Sequence, residues 1–174
     1  QHTSAVFGFT KSIFKLLKEE TPEYFAVILD SKEPTFRHKL YSEYKATREK
    51  MPSELVEQLN PINKILQYAN IPVIKKPGYE ADDIMGTFAR KADIDGFRTY
   101  LVTSDKDMMQ LVTNTTNVFT PGTKIKPKTI YNPKKVEERW GVKPEQMIDF
   151  LTLVGDISDN IPGIDGVGPK TAVK

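Results

Sequence analysis

Apolar residues recur at helical spacing from the start of the chain. Val6, Phe9, Ile13, Phe14, Leu16 and Leu17 follow Ser4, a candidate N-cap, and predict a helix over residues 4–19. The period then changes. The run Tyr24-Phe25-Ala26-Val27-Ile28-Leu29-Asp30 is short, apolar and partly β-branched, and it reads as a buried parallel strand ending in Asp30. Residues 31–51 have no core pattern: Lys32, Arg37, Lys39, Lys45, Arg48 and Lys50 alternate with Phe36, Tyr41 and Tyr44. Leu55, Leu59, Ile62, Ile65 and Leu66 predict a second helix over 53–69, with Pro61 expected to kink or break it. Further along, the pattern predicts strands at 71–74, 99–103 and 116–120, a helix over 80–92 and a short helix over 106–111. Strands alternating with helices define an α/β class with a mainly parallel sheet. Past Asn132 everything reads as helical, over 133–140 and 144–154, followed by a glycine-rich stretch at 163–168 and a helix starting after Pro169. No internal repeat is present.

With 174 residues, 39 % of them hydrophobic, the chain suits one domain with a core and a small appendage. The domain boundary is expected near 131, with an α/β core over 1–131 and the start of a helical module over 132–174. The apolar runs fall far short of the roughly 20 residues that cross a bilayer, and no signal-peptide pattern precedes them. A soluble, cytoplasmic, monomeric protein without a membrane partner is the expectation. The absence of cysteine excludes disulfides and thiolate zinc sites and fits a reducing compartment. Any metal must then sit on oxygen or on the two histidines. The sequence opens on Gln1-His2-Thr3-Ser4 without a preceding strand and stops at Lys174 inside a helical pattern, so it reads as a fragment.

Carboxylates concentrate in a few short segments. Gly78-Tyr79-Glu80-Ala81-Asp82-Asp83 places three acids in the first turn of a helix, where complementing the helix dipole is an equally good account. Asp105 and Asp107 lie just beyond the carboxyl end of a predicted strand, where open α/β sheets bind ligands; a capping role explains one of them more easily than both. Asp156 and Asp159 stand three apart beside the glycine-rich loop, where each alone is explained by a turn or cap. With Asp30, these make eight acids near strand ends or helix starts. Clustered carboxylates repel unless cations neutralise them, and without thiolates the hard ions Mg2+ or Mn2+ suit them best. Setting eight negative charges aside takes the net charge from +2 to +10, the balance of a polyanion-binding protein.

The order Leu29-Asp30, Phe36-Arg37-His38, Tyr44-Lys45-Ala46-Thr47-Arg48, Gly78 to Asp83, Thr103-Ser104-Asp105-Lys106-Asp107 and Gly155-Asp156-Ile157-Ser158-Asp159-Asn160-Ile161-Pro162-Gly163 resembles 5′-nucleases of the flap endonuclease family. The 5′-3′ exonuclease domain of bacterial DNA polymerase I is the branch it looks most like. The resemblance implies a PIN-like twisted sheet with helices on both sides, an arch over the site at about 31–52, and a helix-hairpin-helix module binding duplex DNA. It implies structure-selective cutting near DNA 5′ ends by two or more divalent ions, in replication and repair. Asp30, Glu80, Asp82, Asp83, Asp105, Asp107, Asp156 and Asp159 match the family's metal cluster. A further family aspartate, on a first strand, has no counterpart in this sequence. The implied partners are branched, nicked or flapped DNA, including RNA primer ends, with a polymerase fused in the complete protein.

By the same resemblance, Lys45 and Arg48 are the expected catalytic contacts to the phosphate, Tyr44 stacks on a base and Arg37 binds DNA. Gly163, Gly166 and Gly168 are expected to permit positive backbone angles and close approach, so that amides face a DNA phosphate, with Lys170 and Thr171 assisting and K+ held by backbone carbonyls. Two other classes compete: a DNA-binding module without catalysis, and an unrelated α/β phosphohydrolase built on aspartates.

Overall fold

The computed structural model describes residues 2–122 and 127–174. Helix α1 (Ser4–Glu20) lies against α3 (Ser53–Tyr68), and Val6, Phe9 and Ile13 pack on a small core of Val27, Ile62 and Leu66. Ser4 is the first helical residue and not the cap. The free amides of Ala5 and Val6 donate instead to Oε1 of the buried Gln58 on α3, at 2.8 and 3.2 Å. Pro61 does not break α3. It removes one intrahelical hydrogen bond, but its neighbours Ile62 and Leu66 are 7 % and 1 % exposed, and their burial holds the helix continuous.

Two small sheets follow. Strand β1 (Val27–Ile28) pairs in parallel with β2 (Val73–Ile74), and β3 (Thr99–Val102) pairs in parallel with β4 (Thr116–Thr120). Helix α4 (Ala81–Ile94) packs on both β1 and β3 and so ties the two sheets together. The class is α/β as the pattern predicted. The exception to parallel pairing is β5 (Thr129–Tyr131), which runs antiparallel to β4. Three residues are too few to show a period, which is why the sequence pattern missed it.

The main core joins the second sheet to the helical module. Leu101 and Val118 pack with Met108 and Met109 from a 3-10 turn (Lys106–Leu111), with Val136 of α5 (Pro133–Trp140), and with Met147 and Phe150 of α6 (Met147–Val154). A short α2 (Phe36–Leu40) precedes a chain of turns over 42–47. The last helix, α7 (Pro169–Ala172), rests on α6.

The glycines of the 155–168 region divide between them the positive angles and the close approach expected there. Gly155 has φ +76°, and a Cβ there would meet the Gly163 nitrogen at 2.3 Å. At Gly163 itself a Cβ would meet the Val154 carbonyl carbon at 2.4 Å, so this glycine serves close backbone approach and not a positive angle. Gly166 does take a positive φ, of 77°. Gly168 has φ −90° and is the residue before α7, in open space.

Candidate active site

The acids sit where each element starts or stops. Asp30 follows β1, Asp105 follows β3, Glu80 caps α4, and Asp156 precedes a 3-10 turn (Ile157–Asp159). Asp105 and Asp156 do the local capping that the sequence also allowed, and Asp30 takes an amide of α4 from across the fold, each through Oδ1. Asp105 Oδ1 accepts from the Asp107 amide at 2.9 Å, Asp156 Oδ1 accepts from the Ser158 amide at 2.8 Å, and Asp30 Oδ1 accepts from the Ala81 amide at 2.7 Å. Capping therefore fixes these carboxylates and leaves an oxygen for chemistry.

Seven of the eight acids line one open cavity of about 430 Å3: Asp30, Glu80, Asp82, Asp105, Asp107, Asp156 and Asp159. Lys45, Arg48 and Lys106 line it too. The cavity is divided electrostatically. On one side, Lys45 Nζ lies 2.8 Å from Glu80 Oε1 and 3.8 Å from Asp159 Oδ2, and Arg48 pairs with Asp159 Oδ1. On the other, Asp82 and Asp107 have no such partner among the described residues. Burial, followed by the charges of Asp105, Asp30 and Glu80, pushes the Asp82 carboxyl up to about 6. Burial, followed by Asp105 and Asp156, does the same to Asp107, again to about 6. Asp107 Oδ1 is buried with no hydrogen-bond partner among the described residues. Asp156 differs: burial opposes its charge, but hydrogen bonds from Ser158 and Lys106 hold its carboxyl below the usual range.

This donor set is all oxygen, partly uncompensated, and open on one face. It fits a hard divalent cation by chemistry. Among the described residues, no three carboxylates already converge on a common ion position. Two of the acids, Glu80 and Asp159, are turned toward Lys45, Arg48 and Tyr44. Asp30, Asp82, Asp105, Asp107 and Asp156 would hold the ions first, with Glu80 and Asp159 released to join them.

Three of the expected site residues have other partners in this structure. Asp83, matched to the metal cluster, does not line the cavity. Its two oxygens receive Arg37 Nη1 and Nη2, both at 2.8 Å, and it caps the Glu80 amide at 3.0 Å. The Arg37 hydrogen bonds, chiefly, hold the Asp83 carboxyl below its usual range. Arg37, expected on DNA, here anchors α2 on α4. Tyr44, expected to stack on a base, is 6 % exposed. Its hydroxyl lies 2.9 Å from Glu80 Oε2 and 3.1 Å from Asp159 Oδ2, and burial followed by these acids raises its pKa so that it keeps its proton.

The segment expected as an arch is folded against the cavity. The Lys45 amide donates to the Asp159 carbonyl at 2.9 Å, and Asn160 Nδ2 donates to the Glu43 carbonyl at 2.7 Å. Lys45 takes φ +56°, an unusual angle for a side-chain-bearing residue and one that the contacts on either side enforce. Gly163, Gly166, Gly168, Lys170 and Thr171 lie beyond the cavity lining, on the hairpin that leads into α7. Sequence reasoning passed over Ser104, Lys106 and Ser158 as lining residues. Lys106, between two site aspartates, carried the signal that could have found it.

The anchoring role of Asp83 is testable. Asp83→Ala is expected to cost about 2 kcal/mol in urea unfolding, the worth of charge-assisted bonds and a lost cap. A rise in Tm on adding a divalent cation, expected of the unaltered chain, should survive in this variant; its loss would make Asp83 a ligand after all.

Fold and site together define a class: an α/β protein with a carboxylate cleft at the C-terminal ends of its parallel strands. Residues 1–141 match the 5′-3′ exonuclease N-terminal resolvase-like domain, and residues 142–174 match the 5′-3′ exonuclease C-terminal SAM fold. The chain belongs to the 5′-3′ exonuclease family. It is 44 % identical over 173 residues to DNA polymerase I of Bacillus subtilis, covering 99 % of this chain and 20 % of that protein. It is 41 % identical to a 5′-3′ exonuclease of Aquifex aeolicus, covering 98 % of this chain and 58 % of that one. Its fold matches the bacteriophage T5 D15 flap endonuclease in a pseudo-enzyme-product complex with DNA and metal ions, with TM-score 0.78 and 25 % identity. That match covers 97 % of this chain and 65 % of the phage protein. The chain thus spans from a fifth to under two thirds of these relatives.

Proposed function

We propose that this chain is the catalytic part of a divalent-metal-dependent 5′ nuclease that hydrolyses phosphodiester bonds near the 5′ ends of flapped or nicked DNA, RNA primer ends included. The observation that carries the reading is the pairing of Lys45 and Arg48 with the same cavity that gathers seven acids. A polyanion needs both: cations to draw its phosphates in, and acids to hold the ions that act on them.

When bound, divalent ions, Mg2+ in this reading, activate water and neutralise charge on the attacked phosphate and the leaving oxygen. The chain's own side chains do the rest. Asp82 and Asp107 bring the least compensated charge and so the strongest pull on a cation. Lys45 and Arg48 transfer from Glu80 and Asp159 to the non-bridging phosphate oxygens, where fixed charge lowers the barrier. Tyr44, still protonated, holds the segment against the cleft through Glu80 and Asp159 and releases them as those acids turn to the ions. Backbone groups of the hairpin at 163–168 bind the duplex by its phosphates, with K+ at their carbonyls, so selection is by junction shape and not by base sequence. The likeness to DNA polymerase I supports a cytoplasmic protein working joined to a polymerase.

The test is incubation with 5′-labelled flap DNA in Mg2+ and in EDTA. Release of a short 5′ product in Mg2+ alone supports the reading. Binding without release would leave a DNA-binding module, and the absence of both binding and release would overturn the reading.

A further inference from the structure

Among the described residues, three basic side chains line the cleft, and each sits on an acid. Lys45 and Arg48 come from the 42–48 segment and cover Glu80 and Asp159. Lys106 comes from the turn after β3, between Asp105 and Asp107, and its Nζ lies 3.2 Å from Asp156 Oδ2. Asp156 has little else to offer an ion. Its Oδ1 already accepts from the Ser158 amide at 2.8 Å and from Ser158 Oγ at 2.6 Å. Oδ2 is the less engaged oxygen, and the Lys106 ammonium stands on it.

An ion bound through that oxygen displaces the ammonium. Mg2+ lies about 2.1 Å from its oxygen ligands, and two cations so close to one atom repel each other. The backbone under Lys106 is fixed, because Asp105 Oδ1 holds the Asp107 amide at 2.9 Å and Met108 and Met109 are buried in the main core. The side chain is what swings. It is 42 % exposed, against 18 % for Lys45, and its ion pair is longer than the 2.8 Å pair of Lys45 with Glu80. Exposed pairs are weak, so an incoming dication displaces Lys106 before it displaces Lys45. With Asp105, Asp107 and Asp156 taken by ions, the anion left for the freed ammonium is the DNA phosphate drawn to those same ions.

We propose that Lys106 is an exchangeable counter-ion: it neutralises Asp156 while the cleft lacks a divalent ion, and when an ion takes Asp156 it passes its charge to a DNA phosphate. Ion and DNA binding are thereby coupled through one side chain, each strengthening the other by the same factor. The proposal rests on the nuclease reading above for both the ions and the DNA.

The experiment has two readouts, neither of them cutting. Mn2+ binding without DNA is followed by loss of the free-ion EPR signal. Lys106→Gln should bind Mn2+ about tenfold more tightly than the unaltered chain, since no tethered cation competes, and Lys106→Arg should bind it as the unaltered chain does. The Kd for flap DNA is then measured against KCl concentration, in EDTA and in Ca2+, a hard ion of oxygen ligands. In Ca2+ the salt slope of Lys106→Gln should be smaller by about 0.9, the worth of one phosphate contact, and that of Lys106→Arg should be unchanged. In EDTA the three slopes should coincide, because Lys106 is then held by Asp156. A merely structural ion pair would not make the difference depend on the ion. Equal Mn2+ affinities of the unaltered chain and Lys106→Gln, equal slopes in Ca2+, or a slope already smaller in EDTA overturns this inference and leaves the nuclease reading intact. Failure of the unaltered chain to bind Mn2+, or to bind the DNA in either condition, overturns both.

Discussion

Lys45→Ala is expected to lower the single-turnover cutting rate by about 100-fold, the worth of one fixed charge aimed at a reacting phosphate. Its effect on DNA affinity should be no more than about threefold, since only one of several phosphate contacts is lost. The asymmetry follows from where the side chain sits. Lys45 is 18 % exposed, wedged between Glu80 and Asp159, and its left-handed backbone is pinned by the bond from its amide to Asp159. A group held this firmly at the bottom of a cleft meets the strand only where the acids are. A contact that merely gathers DNA would sit on the rim and contribute equally to binding and to rate. Quenched-flow cutting alongside equilibrium binding separates the two cases, and equal losses in both would reduce Lys45 to a binding residue.

The double variant Asp82→Asn/Asp107→Asn is expected to abolish Mg2+-dependent cutting, a loss of at least about 1000-fold, and yet to make the metal-free protein more stable at pH 8. Both carboxyls titrate near 6 in the fold, above the ordinary 3.8. Such groups favour folding while protonated. Their contribution is complete below the unfolded value and is lost as pH rises through about 6. At pH 8 the metal-free protein therefore bears their full repulsion, which the amides remove. A rise in Tm of about 3 °C is expected from relieving roughly 1 kcal/mol in a chain of this size. The same variant should lose most of the Tm increase expected of the unaltered chain on adding a divalent cation. Asp83 and Asp156 act in the opposite sense: their carboxyls lie below the usual range, so their stabilisation is present above 3.8 and disappears as pH falls through their lowered values. A double variant that is no more stable without metal, or that keeps the Mg2+ response, would remove these two aspartates from the ion site.

The elements were legible in the sequence wherever a segment was long enough to show a period. Helix α1, the strand at 116–120 and the helix at 133–140 stand where the apolar spacing put them. The acids were legible for a different reason. Each lies at a strand end or helix start, and those are local features of the chain. The partners of those acids were not legible. Arg37 and Asp83 are 46 residues apart, and Arg48 and Asp159 are 111 apart, separations that no periodicity spans. Pro61 and Ser4 were misread for the same reason, because burial of Ile62 and Leu66 and the reach of Gln58 are tertiary facts.

The sequence by itself determined the α/β class, the family, and which carboxylates stand at the ends of elements, since these depend on spacing and residue type along the chain. Only the tertiary structure decided which acids are free to attract a cation. It turned Asp83 into an anchor for Arg37, buried Tyr44 between Glu80 and Asp159, and set Lys106 against Asp156. The physical reason is that a charge or an aromatic ring acquires its role from the groups packed around it. Those groups come from segments that only folding brings together.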